Sequence, residues 1–133
     1  MSVFREAEIE YLQSQRLGRL ATVSEAGELH VVPARFRYSA EADAIDIGGR
    51  GMGTSKKYRD ALRTGRAAFV IDDMPQPGKV RGLEVRGSAE ACTTGGDQIM
   101  ADWDPQFIRL VPSHIATWGI ETDSFQTVSR TAG

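Results

Sequence analysis

Cysteine is almost missing from this chain: among 133 residues there is only Cys92, and histidine is limited to His30 and His114. One thiol can form neither an internal disulfide nor a Cys-rich metal site, which fits a reducing compartment. The histidines stand far apart, Cys92 has no histidine near it in sequence, and no HExxH occurs, so nucleophilic triads and metal catalysis are disfavoured. No run approaches the roughly 18 apolar residues of a membrane-crossing helix. The opening residues lack the apolar stretch of a secretion signal, and the chain reads as cytoplasmic. Despite 14 glycines, the sequence has no Walker pattern and no GxGxxG following a parallel-sheet strand, which disfavours nucleoside triphosphates and Rossmann dinucleotides.

A net charge of −2 gives no global case for nucleic acid. The distribution is uneven. Arg50, Lys56, Lys57, Arg59, Arg63 and Arg66 stand against the single acid Asp60, so this stretch carries +5 and the remainder −7. Aromatic interleaving is absent from the basic stretch, which argues against nucleic-acid binding there.

With 41% hydrophobic and 26% charged residues the composition is that of one globular domain spanning 1–133. Ser2 is a candidate cap for a short amphipathic helix over Val3–Ser14. Arg16–Val23 and Leu29–Tyr38 read as strands of a hairpin around Ser24–Gly27. Ala44–Ile47 is a third strand. It runs into Gly48–Gly53, four glycines in six residues, which must be loop. Thr54 or Ser55 can cap a helix to about Leu62, ended by Gly65, before the apolar strand Ala67–Ile71. Asp73–Gly78 reads as a turn, Arg81–Ala91 as a long strand, and Gly95–Asp102 as a short helix. Gln106–Ile120 reads as a strand interrupted near Pro112, and 124–133 as a polar tail. Some six short strands with two or three helices place the chain in a barrel or α+β class, because such strands need closure or a partner to protect their edges.

The loop and helix from Gly48 to Arg59 carry the clearest chemical signal. Glycines admit a ligand close to backbone amides, and a helix start offers unpaired N–H groups with partial positive charge. Ser55, Lys56 and Lys57 add a hydroxyl and two cations at that end. Lysines in a first turn oppose the helix dipole, so their placement points to an anion such as a phosphate between them. The alternative is a solvated basic helix after a flexible loop. In His30-Val31-Val32-Pro33, Pro33 cannot donate to a ladder, so the strand is at an edge or bulged there and could face a flat heterocycle. Trp118 could stack on a ring or a second subunit, though strand aromatics usually pack in cores.

Several segments together resemble the pyridoxamine 5′-phosphate oxidase-like superfamily of flavin-binding split barrels. They are Arg19–Val23 with Gly27 and His30–Pro33, Ser55–Asp60, Arg66–Asp73 and Arg81–Gly87, in the family's order and spacing and covering nearly the whole chain. Within it the chain is most similar to short actinobacterial members that use coenzyme F420, a deazaflavin, including the type acting on a late tetracycline-like intermediate. The resemblance implies a mainly β (α+β) fold, a six-stranded antiparallel split β-barrel of the FMN-binding type with short flanking helices. It also implies a homodimer with cofactor sites at the subunit interface.

The implied activity is hydride transfer from reduced F420 to an electron-poor double bond of a small organic substrate. FMN in place of F420, or a non-catalytic flavin carrier, remain as alternatives. The family's phosphate-binding lysine and hydroxyl match Lys57 and Ser55, and its ring-contacting strand matches Val31–Pro33, with His30 beside it. Lys56, Arg59 and the Gly48-Gly49 turn fall beside the phosphate position. The carboxylate-bearing tail of F420 would favour Arg50 or Lys79, and Arg81 could reach a neighbouring subunit's cofactor. Ala34-Arg35 departs from the small or apolar residues common after the strand proline, so Arg35 reshapes the substrate side.

Overall fold

A computed structural model describes residues 1–122 and 124–132. Strands β1 (Leu17–Val23), β2 (Leu29–Ser39), β3 (Ala44–Gly48), β4 (Arg66–Gln76), β5 (Lys79–Cys92), β6 (Phe107–Trp118) and β7 (Val128–Thr131) alternate with three short helices. These are α1 (Glu6–Ser14), α2 (Lys56–Thr64) and α3 (Gly96–Ile99). Neighbouring strands run β3-β2-β1-β4-β5-β6, and β3 pairs again with β6 through Ile45↔Leu110 and Ile47↔Ile108. Six antiparallel strands thus close into a barrel, which removes the edges that short strands would otherwise expose. No helix among the described residues is long and apolar enough to cross a membrane.

Period-two alternation fills the interior. Leu20, Ile45, Ile47, Phe69, Ile71, Leu83, Val85, Ile108, Leu110 and Ile115 are all essentially inaccessible to solvent. Each contributes about 1.5–3 kcal/mol by burial. β3 is buried on both faces. Its outward Asp46 accepts a bidentate pair from Arg109, and its outward Gly48 lies flat against Trp103, where a Cβ would stand 2.2 Å from the ring.

Several expected boundaries move. Ser2 does not cap α1: its hydroxyl donates to Asp43 at 2.6 Å, and the helix begins at Glu6, with the Glu8 carboxylate accepting the Arg5 N–H. Asp73–Gly78 is not an open turn. β4 continues to Gln76, Gln76 pairs with Lys79 across Pro77-Gly78, and Pro75 sits in the register shift between Asp73 and Gln76, where a missing donor is tolerated. β6 is continuous past Pro112 because Ser113 is accommodated as a bulge between the pairs Gly87↔Pro112 and Arg86↔His114. Only glycine fits opposite it, since a Cβ on Gly87 would meet the Val111 carbonyl oxygen at 1.9 Å.

The presumed polar tail contains β7, whose Val128–Thr131 pairs with His114–Thr117. The cause lies in β6. Its first half is paired by β3, which stops at Leu110, and β7 covers the exposed backbone beyond. Arg130 fastens this strand by two bonds to the fully buried Glu8 carboxylate, at 2.6 and 2.8 Å, and one to the Val3 carbonyl. Gly133, the end of the expected tail, lies outside the described residues.

Candidate cofactor site

α2 begins where the sequence indicates. Ser55 is its N-cap: the hydroxyl accepts the Tyr58 N–H at 3.3 Å and donates to the Met52 carbonyl at 2.7 Å, which ties the glycine loop to the helix. Gly65, with φ +70, ends the helix as the sequence indicates, the last helical residue being Thr64, two beyond Leu62. The first turn carries no acid, so nothing within it offsets the partial positive charge of the open N–H groups.

The two lysines of that turn divide the work. Lys56 reaches Asp60 one turn on, with both carboxylate oxygens at 3.3 Å, and Asp60 also accepts the Thr22 hydroxyl at 3.0 Å. It is therefore a bracket between α2 and β1. Lys57 is half-buried and makes no hydrogen bond or ion pair among the described residues, and burial lowers the pKa of its ammonium. A desolvated cation without a partner at a helix start has the chemistry that suits an anion.

The glycine loop adjoins it and is braced from behind. The Asp104 N–H donates to the Gly49 carbonyl at 3.0 Å, and the Gly53 N–H donates to the Asp104 carboxylate at 3.3 Å. Nothing lies within 4 Å of where side chains at Gly49 or Gly51 would stand, so this backbone faces open space beside exposed Arg50.

β2 links the remaining residues to this centre. His30 pairs with Thr22, the residue that holds Asp60, and Arg35 pairs with Gly48 at the mouth of the glycine loop. The strand between them, Val31 to Pro33, is paired only on its β1 side, because β3 begins its pairing at Arg35. Pro33 thus occupies the unpaired edge that its missing N–H requires. Val31 and Pro33 are exposed, and His30 and Val32 are half-buried.

Of three further expected residues, two stand apart. Arg59 folds back to donate to the Thr54 carbonyl. Lys79 is exposed beside the β4–β5 turn. Arg81 is held by Asp73 at 2.7 and 3.0 Å and lies over the Tyr11 ring, and it lines a separate cleft with Ala7, Glu10 and Ile120. Lys79 and Arg81 do not extend the glycine-loop site, whereas Arg59 stays at its edge. Trp118 packs against Gly82, and burial pushes the Cys92 thiol up, which opposes a nucleophilic thiolate.

Two clefts escaped the sequence reading. One, of about 440 Å³, lies on the outer sheet face, floored by Ala21, Ala67, Ala68 and Gly87 and edged by Arg66 and Arg86. The other, of about 460 Å³, lies between the end of α1, β2 and the segment after α3. His30–Pro33, Gly48–Arg50 and Ser55–Lys57 line neither of them, so the presumed ring and phosphate positions form open surface on a single protomer.

Comparison with known proteins agrees with this architecture. The chain is 44% identical over 122 residues, 90% of its length and 86% of the relative's, to a 5a,11a-dehydrotetracycline/5a,11a-dehydrooxytetracycline reductase of Streptomyces rimosus. Among solved structures it is similar to a protein of Corynebacterium glutamicum assigned as a pyridoxamine 5′-phosphate oxidase, with a TM-score of 0.60 and 22% identity over 96% of each chain. It is also similar to an FAD-binding protein of Mycobacterium smegmatis, with a TM-score of 0.62 and 20% identity over 96% of this chain and 98% of the other. No protein-family model matches.

Proposed function

Since the chain belongs to the pyridoxamine 5′-phosphate oxidase-like split-barrel family and is an oxidoreductase related to a dehydrotetracycline reductase, we propose that it is an F420-dependent reductase of an electron-poor C=C in a fused-ring, tetracycline-type substrate. The observation that carries the cofactor assignment is Lys57, a half-buried cation without a partner beside a serine-capped helix start and an open glycine loop. These groups fit a phosphate diester or monoester, and Arg50 adds charge for a carboxylate-bearing tail.

F420, when bound in reduced form, supplies a hydride, and a proton from water completes saturation of the double bond. The chain's own part is placement. Lys57 and the α2 N–H groups hold the phosphate, Ser55 caps the helix that presents them, the edge of β2 at Val31–Pro33 supports the ring, and bulky acid–base machinery is not required. The same cradle accepts the phosphate of FMN, and an FAD-binding protein shares the fold, so FMN is the competing cofactor.

The site is completed by a second copy of the chain in this reading. Leu17, Leu29 and Val31 are 59%, 87% and 66% exposed on one outer face, beside the small-residue floor of Ala21 and Ala68. Packing that face against its symmetry mate buries the apolar strip and closes the open ring surface. Equilibrium titration of the purified protein with F420 and with FMN tests the cofactor assignment. F420 binding more tightly is expected; FMN binding equally well, or remaining bound through purification, overturns it. Sedimentation at micromolar concentration should show a dimer, and a monomer that binds cofactor tightly contradicts the interfacial site.

A further inference from the structure

The cleft of about 460 Å³ beside β2 has an unusual lining. Arg16, Arg35 and Arg37 border it with no carboxylate among its wall residues, while Phe36, Met100 and Trp103 give it apolar surface. The arginines are not equivalent. Arg35 is neutralised by a bidentate pair with Asp102, at 2.7 and 3.2 Å. Arg37 donates to a neutral partner, the Ile99 carbonyl at 2.8 Å, and Arg16 makes no hydrogen bond or ion pair among the described residues. Arg16 and Arg37 therefore border the cleft without an ion pair of their own: Asp46, across the ladder from Arg37, is taken by Arg109, and Arg37 is oriented by its carbonyl contact.

Trp103 supplies the second observation. It is 4% exposed, and its indole N–H is the one buried side-chain polar atom without a hydrogen-bond partner among the described residues. Such a donor is costly to leave unpaired, so the indole is held in place by its packing rather than by a polar partner. The same ring packs on Gly48, at the mouth of the glycine loop, and Arg35 pairs with Gly48 across the β2–β3 ladder. Arg35, which lines the cleft, stands two residues beyond Pro33 on the same face of β2, so the cleft opens next to the proposed ring edge.

We infer that this cleft receives the substrate: a flat, largely apolar fused-ring anion, whose ionised enol or phenol oxygens pair with Arg37 and Arg16 while its rings lie against the wall that Phe36, Met100 and Trp103 form. The inference rests on the reductase reading above and adds where the substrate lies and which charge it carries. A cleft of this volume is within the range of small-molecule sites, and its arginine-rich edge beside a partly apolar wall suits an acidic ligand.

The test uses the full chain carrying Trp118→Phe, which leaves Trp103 as its only tryptophan, and tetracycline as the probe. Saturable quenching of Trp103 fluorescence is expected. Arg37→Ala should raise the tetracycline dissociation constant at least tenfold, Arg16→Ala several-fold, and Arg37→Lys less than Arg37→Ala. F420 affinity should stay within twofold in each. Arg16 is exposed and makes no hydrogen bond or ion pair among the described residues, so its substitution serves even if Arg37→Ala folds poorly. Tetracycline affinity unchanged in both alanine variants, or no quenching while F420 still binds, overturns the cleft assignment and leaves the cofactor site standing. Loss of F420 binding in the unsubstituted protein is the separate result that overturns the reductase reading.

Discussion

Lys57→Met separates a ligand-binding lysine from a merely solvated one, because the two effects of the substitution have opposite signs. Methionine keeps the aliphatic stem and deletes the charge. In the cofactor-free protein the ammonium is half-buried, unpaired and placed at the positive end of the α2 dipole. Removing a cation from that end relieves about 0.3–1 kcal/mol. For a chain of this length that is an increase in melting temperature of about 1–5 °C. Loss of a charge-assisted contact to phosphate costs about 1.5–3 kcal/mol, so the dissociation constant for F420 should rise about ten- to a hundredfold. Calorimetric melting of the cofactor-free protein and fluorescence titration with F420, run on the same preparations, read both quantities. A variant that melts higher yet binds F420 as tightly as wild type refutes the phosphate role of Lys57.

Arg130→Ala should cost about 3–5 kcal/mol, since it strands the buried Glu8 carboxylate; denaturant unfolding within 1 kcal/mol of wild type would show that the clamp on β7 is unimportant. Gly48→Ala should destabilise the fold by about 1–3 kcal/mol and displace Trp103, whose ring would lie 2.2 Å from the new methyl carbon; unchanged stability and an unshifted tryptophan emission would contradict that packing. The Arg81 guanidinium holds the Asp73 carboxyl below its ordinary value of 3.8. The folded form thus favours the ionised acid, and the stability from this pair is present above about pH 4 and lost as pH falls through the lowered value. Asp73→Asn should accordingly melt below wild type at pH 6 and converge with it toward about pH 2. A gap that is constant with pH would count against the ion pair as its source.

The parts legible in the sequence are those with local causes. Alternation on both sides of Ser24–Gly27 marks the β1–β2 hairpin, and Ser55 and Gly65 mark the two ends of α2. β7 has no such signal. Val128 is its only apolar residue, and the strand is held by Arg130 reaching Glu8, 122 positions away in sequence. Glu8 itself reads as an ordinary first-turn acid, and only the fold shows it to be buried.

The site divides in the same way. The Ser55 cap and the first-turn position of Lys57 are legible because they are neighbours in sequence, while the phosphate role of Lys57 is part of the proposal. Lys56 stood in the same motif, but its partner Asp60 is tied to Thr22 of another element, which makes it a structural bracket. Trp103 carried no pattern at all; its importance comes from Gly48, 55 residues before it in the sequence.

The most direct test of the central claim is an anaerobic turnover assay of the purified protein with reduced F420 and a 5a,11a-dehydrotetracycline, following deazaflavin absorbance together with product formation. The reading predicts one equivalent of F420 oxidised per double bond reduced, and no reaction without the protein. Turnover supported by reduced FMN but not by reduced F420 would contradict it.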